Sequence, residues 1–271
     1  SYGTAVVGTV SGTTVSFGTP VVFESASITR PAIAFNPNTA LKCVVAYQDD
    51  ANSDYGTALV GTVSGTSISF GSAVVFESAE ADGRSFIAYD HDSTVDKCAM
   101  VYQDAGNSAK GTAVVGTISG TSISFGTPVV FNDASTDWEA IAFDPNNAGK
   151  CLISYMDSGN SNYGTTIVGQ ISGTSMIFGS EFIYNSGTTQ SGTVEADPIT
   201  SDRYAVVYRD DADSDKGKAI VANVSGTDVS YGLAVEFSSG DVAANETASF
   251  DPTNPGKFII GWQKGSTTQA T

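Results

Sequence analysis

Apolar positions along this chain come in short runs, and nowhere do they recur every three to four residues over a helix's length. Runs such as KCVVAYQD from Lys42, GTALVGTVSG from Gly56 and TSISF from Thr66 are rich in Val, Ile, Phe and Tyr. Gly, Asn, Asp and Ser separate them, as short strands require. The pattern predicts an all-β protein.

The pattern also repeats. GTAVVGTVSG begins at Gly3, and close copies begin at Gly56, Gly111, Gly164 and Gly217, so the period is 53 to 55 residues. A second landmark, AIAFNP and its relatives, keeps the same spacing at Asn36, Asp90, Asp144, Asp197 and Asp251. Such a period is too long for a β-helix coil and suits a four-stranded propeller blade. Each period reads as four strands: one ending at the AIAFDP landmark, then KCVVAYQD, GTAVVGTVSG and TSISFGTPVVF types. Ser-Gly pairs such as Ser11-Gly12 and Ser64-Gly65 mark a tight hairpin between the third and fourth strands, where positive φ is needed. An aromatic-Gly pair follows each hairpin, from Phe17-Gly18 to Tyr231-Gly232, and reads as a β-bulge or a close backbone approach.

A lone four-stranded sheet cannot cover both its apolar faces, whereas radially packed sheets cover one another. The expected fold is therefore a five-bladed β-propeller with four antiparallel strands per blade, a single domain over 1–271. Blades fall at about 28–77, 82–132, 136–185 and 190–238, with a composite blade from 244–264 plus 1–24. That last blade would close the ring by pairing both ends of the chain and remove the open sheet edges.

Charge narrows the partners. A net charge of -17 repels phosphate backbones and anionic lipid, which argues against nucleic acid and membrane surfaces. No apolar run approaches the roughly 20 residues that cross a bilayer, so membrane insertion is not expected. Cys43, Cys98 and Cys151 share one strand register and read as small buried hydrophobes in separate blades. Lys42, Lys97, Lys150, Arg203 and Lys257 precede that register and read as a rim of solvated cations, with docking of an acidic partner as the alternative.

Two sets of loops can carry chemistry on one face. Between the second and third strands lie DDANSDYG from Asp49 and DDADSDKG from Asp210. Asp211, Asp213 and Asp215, echoed by Asp50, Asn52 and Asp54, place oxygen ligands at alternate residues as calcium loops do; Asx-turn chemistry explains the same residues without metal. No cofactor is required, and calcium is the one candidate ion. The other loops join each fourth strand to the next first strand and vary most. Counting back from the Asn/Asp landmark puts Arg30, Arg84, Trp138, Ser191 and Asn245 at one position, with Glu139 and Glu246 following. Arg30, Arg84, Asp137, Trp138, Glu139, Gln190 and Glu246 form the candidate ligand site, because aromatic faces stack on sugar rings and polar groups fix hydroxyls. Divergence of loops after duplication is the competing explanation.

Catalysis finds less support. His91 stands in a turn where other repeats carry Pro37, Pro145, Pro198 and Pro252, and no Ser-His-Asp arrangement accompanies it. Glu139, Glu195 and Glu246 are the carboxylates a glycosidase would need. Asn223 and Asn245 begin glycosylation triplets, relevant only in a glycosylating secretory pathway.

The repeat wording, VGTVSGTSISFGSAVVFESA from Val60, resembles repeats of marine phage and aquatic microbial surface proteins, some of tail-fibre type. The expected architecture is similar to that of five-bladed tachylectin-type lectins. The resemblance implies an exposed extracellular, cell-surface or virion module without catalytic residues. A non-enzymatic recognition or adhesion module with a glycan or cell-surface polymer as partner is the first reading, since repetition multiplies weak sites. A bead-like subunit assembling with copies of itself in a fibre is the second, and a glycoside hydrolase the third.

Overall fold

A computed structural model describes residues 1–82, 87–92, 94–240 and 242–265, leaving out the side chains of residues 191 and 243–245. It opens with β1 (Tyr2–Ala5), β2 (Gly8–Ser11) and β3 (Thr14–Phe17), followed by β4 (Val21–Phe35), β5 (Lys42–Asp49), β6 (Tyr55–Ser64) and β7 (Ser67–Phe70). Next come β8 (Val74–Asp82), β9 (Ile87–Tyr89), β10 (Lys97–Asp104), β11 (Lys110–Ser119) and β12 (Ser122–Phe125), then β13 (Val129–Phe143), β14 (Lys150–Asp157) and β15 (Tyr163–Ser172). The chain continues through β16 (Ser175–Ala196), β17 (Arg203–Asp210), β18 (Lys216–Ser225), β19 (Asp228–Tyr231), β20 (Val235–Ser238), β21 (Val242–Phe250) and β22 (Phe258–Lys264). Every pairing among them is antiparallel.

Four complete units share one plan. In the first, the second half of β4 pairs with β5, β5 with β6, and β6 with both β7 and the start of β8. Long strands serve twice: β4 pairs with β1 through Val21 to Ser27 and with β5 from Ile28 onward. The hairpin glycines Gly12, Gly65, Gly120, Gly173 and Gly226 have φ between 58 and 64°, the left-handed turn that the Ser-Gly pairs predict.

Second strands are the most buried, because neighbouring units cover both of their faces. Cys43, Cys98 and Cys151 are fully buried free thiols in equivalent strands. Aromatic rings fill the space between units, as where Phe76 meets Tyr102 and Phe125 at centroid distances of 5.4 and 5.6 Å. Each such ring pair adds a fraction of a kcal/mol to about 1.5 kcal/mol beyond its area.

The landmark residues tie one unit to the next. Buried Asp90 accepts hydrogen bonds from its own turn at Asp92 N (3.0 Å) and from Gly149 N of the following unit (2.8 Å). Asp144 accepts from Asp202 N in the same way at 2.6 Å. Asp90→Ala would strand a buried donor and should cost about 2 kcal/mol in urea unfolding. Asp90→Asn, which keeps the accepting oxygen, should cost less than half of that.

The closure expected from the sequence is not made by backbone pairing among the described residues. β21 pairs with β22, β1 with β4, and β2 with β3, so the two halves intended for a fifth unit stay separate. The physical reason is that each half is fixed elsewhere: Ala5, Val7 and Val21 pack on Cys43, Val63 and Ile68 of the first unit. β21, in turn, lies against the fourth unit at β16 and β17. Among the described residues no helix is long and apolar enough to cross a membrane.

Candidate functional site

The first strand of each complete unit whose residues are described skips two residues of register at one place. The skip separates Thr29 from Ala32, Asp137 from Ala140 and Gln190 from Thr193, and β21 repeats it between Ala244 and Thr247. Inside these bulges sit Arg30, Trp138 and Glu246, so the positions found by counting in the sequence occupy one backbone device. Arg30 and Trp138 take φ of 51 and 62°, the left-handed region that costs a non-glycine residue roughly 1–2 kcal/mol. Arg84 and the side chain of Asn245 lie outside the described residues.

The bulge aims its two residues differently. Arg30 is exposed and forms an ion pair with Asp82 at the end of β8. Trp138 is half-buried, and its backbone N–H donates to Asp137 Oδ1 at 2.8 Å. Glu139 turns inward, where Thr136 Oγ1 donates to Glu139 Oε1 at 2.5 Å. Burial pushes its carboxyl up to about 7, and the Thr136 hydrogen bond and the Arg30 charge pull partly the other way. Arg30, Asp82 and Glu139, from three successive units, therefore share one electrostatic neighbourhood.

A second group forms around Arg209, which the sequence reading passed over. Its guanidinium donates to Gln190 Oε1 (2.8 Å), to both oxygens of Asp211 (2.5 and 3.1 Å) and to the Val242 carbonyl (3.3 Å). Asp211 raises the Arg209 pKa most, with smaller contributions from Asp215 and then from buried Glu246, against the lowering effect of burial. Equivalent strand positions hold Gln48, Gln103, Met156 and Gln263, and Gln48 Oε1 accepts from Thr29 Oγ1 at 2.6 Å. The available signal was a polar residue near the end of an otherwise apolar second strand.

Each loop proposed for calcium is one turn of 3₁₀ helix closed by two left-handed residues, such as Ser53-Asp54 and Ser214-Asp215. Asp50 accepts from Ser27 Oγ at 3.0 Å and Thr29 Oγ1 at 2.9 Å, while Asn52 is exposed. In the strongest copy the chain supplies its own cations: Arg209 holds Asp211 and approaches Asp215 at 3.9 Å, and Lys216 and Lys218 hold Asp213 at 3.2 and 2.7 Å. Among the described residues no three His, Cys, Asp or Glu side chains converge as metal ligands. Asn223 is exposed on β18.

Two recesses complete the picture. One of about 480 Å³ on the loop face is lined by Asn132, Asp133, Asp157, Asn160 and Glu181, none of them among the sequence candidates. Asn132 Nδ2 and Tyr155 Oη both donate to Glu181 Oε1, at 3.0 and 2.9 Å. Another, of about 310 Å³, lies where first strands from four units converge. Phe35, Tyr89, His91, Phe143 and Glu195 line it, and burial lifts the Glu195 carboxyl to about 7.

These features define an all-β, antiparallel protein of repeated four-stranded units with polar bulges on one face. No family model matches the chain, and no curated protein matches it. Among solved structures it is similar in fold to AofleA from Arthrobotrys oligospora, with a TM-score of 0.54 and 10% identity over 87% of this chain. The chain spans 65% of that protein's length. A triple arginine-to-alanine variant of AofleA matches with a TM-score of 0.46 and 10% identity, covering 87% of this chain and 80% of that one.

Proposed function

We propose that the chain is a non-enzymatic recognition module that binds glycans on its bulge-bearing face, outside the cell or on a virion. Its architecture in this reading is a five-bladed propeller whose fifth blade is composite, with inner strands β21 and β22 and outer strands of the β1 to β3 type. The observation that carries the reading is the left-handed pair Arg30 and Trp138, two non-glycine residues held in a costly conformation at the same bulge of different units. That bulge presents an aromatic face and a guanidinium beside Asp82, Asp137 and Glu139, groups suited to stacking on a sugar ring and gripping its hydroxyls. The shared fold with AofleA, a fungal lectin, is consistent with it.

A glycan array run with and without calcium tests the proposal. Binding to at least one sugar class is expected, and Trp138→Ala should weaken it about tenfold while leaving the melting temperature close to that of the parent. A blank array in both conditions, or full binding by the variant, would reject the site.

A further inference from the structure

Each repeated unit is a control for the others, so a residue that departs from its counterparts needs a reason of its own. Three such departures meet in the recess of about 310 Å³ between the first strands. Ala34, Ala88 and Ala142 stand opposite Val44, Ala99 and Leu152 of their second strands, and β21 carries Ser249 at that register. In the fourth unit the same position, opposite Ala205, is Glu195. One residue further on, Phe35, Tyr89 and Phe143 give way to Ala196, so the unit that brings the carboxyl is the one that leaves out the ring. Where the turns of the first, third and fourth units carry Pro37, Pro145 and Pro198, the second carries His91. Glu195, Ala196 and His91 all line the recess, together with Phe35, Tyr89 and Phe143.

The fold itself does not call for the carboxyl, because units with alanine at that register keep the same strand pairing. Taking an unpaired carboxylate out of water is costly. Among the described residues no hydrogen bond or cation reaches Glu195, and burial pushes its carboxyl up to about 7. Asp197, two residues on, is already paired with Arg203. No Lys or Arg among the described residues lines the recess. Its other titratable groups are Tyr89, which burial keeps protonated, and His91, which desolvation holds below its ordinary value against the pull of Asp90 and Asp144. At neutral pH the recess therefore has negative charge and aromatic walls but no cation of its own.

We propose that this recess binds a small organic ammonium ion, with Glu195 opposite its charge and Phe35, Tyr89 and Phe143 around its carbon body. Aromatic faces attract cations, and a chain of net charge -17 gathers them from solution. A bare metal ion fits less well, since one carboxyl supplies too few oxygens for a hard cation. An anion would meet Glu195 with Asp90 and Asp144 behind His91. The recess shares no residue with the bulges, so a blank glycan array leaves this inference standing.

Isothermal titration with choline, and with its uncharged carbon isostere neohexyl alcohol, tests it. Choline should bind, and the alcohol should bind at least about tenfold more weakly. Glu195→Ala installs the residue that three units already carry, so the variant should keep the parent's melting temperature or exceed it. Its choline affinity should fall by about tenfold or more. Because the ionised carboxyl holds the cation, the parent should bind choline about tenfold more weakly at pH 6 than at pH 8. Glu195→Gln should lose that pH step, whereas His91→Pro, which restores the turn residue of the other units, should keep it. Phosphatidylcholine vesicles should leave the chain in solution; vesicles that pull it down would assign the ammonium to a lipid headgroup and overturn the free ion. Absence of choline binding, equal affinity for the alcohol, full binding by Glu195→Ala or a pH step that follows His91 would each overturn the proposal.

Discussion

Gly126→Ala should destabilise the chain by about 3 kcal/mol, while Gly232→Ala should leave it unchanged or raise its stability by about 0.5 kcal/mol. Neither glycine has positive φ, so the backbone alone would accept alanine at both. Restricting the unfolded chain then favours alanine wherever there is room. At Gly126 there is none, because a Cβ would fall within the contact radius of the Thr174 carbonyl oxygen, a backbone atom that cannot swing aside. The whole hairpin after β15 would have to back away, loosening the contact between Phe131 and Phe178 beside it. At Gly232 nothing of a neighbouring unit among the described residues lies within reach of a Cβ. Urea unfolding of the two variants beside the parent decides the matter. Equal losses at both positions would mean that Gly232 also meets a neighbouring unit, as the composite fifth blade of the proposed propeller requires, or that the glycines serve the bulge itself.

That contrast also marks how far the sequence could be read. An aromatic-Gly pair recurring after every hairpin was legible as a bulge or a close approach, since few other constraints call for glycine at the same place in every repeat. The partner of the approach was not legible, because Thr174 lies 48 residues beyond Gly126 and belongs to another unit. Lys42 and Lys97 mislead for the same reason. Each reads as a solvated strand end, yet their Nζ atoms donate to the Gly120 and Gly173 carbonyls of the following unit at 2.6 Å. Ring closure is a still longer-range property. It depends on the angle between packed units, which a period of 53 to 55 residues does not set.

The candidate site divides along the same line. Counting from the Asn/Asp landmark found Arg30 and Trp138, because a bulge is a local backbone feature with a fixed offset. Arg209 escaped because its partners Gln190, Asp211 and Val242 come from three different elements, and only tertiary packing assembles them. Asp211 and its neighbours looked like a calcium loop because alternation of carboxylates is visible in one dimension. Their pairing with Arg209, Lys216 and Lys218 is partly a matter of the third.

Glu139 supplies a second large and signed expectation. Its carboxyl is fully buried, so the folded chain keeps the proton up to about pH 7 while the unfolded chain releases it near 4.5. Below pH 4.5 both states are protonated and the side chain contributes its full stability. Between 4.5 and about 7 the unfolded state binds fewer protons than the folded one, so stability falls as pH rises. Above that window the loss is complete and amounts to roughly 3 kcal/mol, taking about 1.4 kcal/mol for each pH unit of difference. Glu139→Gln keeps an oxygen for the Thr136 hydroxyl and removes the titration. The variant should therefore match the parent at low pH and exceed it by roughly 3 kcal/mol above neutrality. Glu195, in the recess where the first strands converge, titrates over the same range, so Glu195→Gln belongs in the same series of urea curves as a control. A parent and Glu139→Gln variant whose curves stay parallel from pH 4.5 to 8 would show that Glu139 reaches water in solution. The bulge that turns it inward beside the half-buried Trp138 would then lose its structural basis.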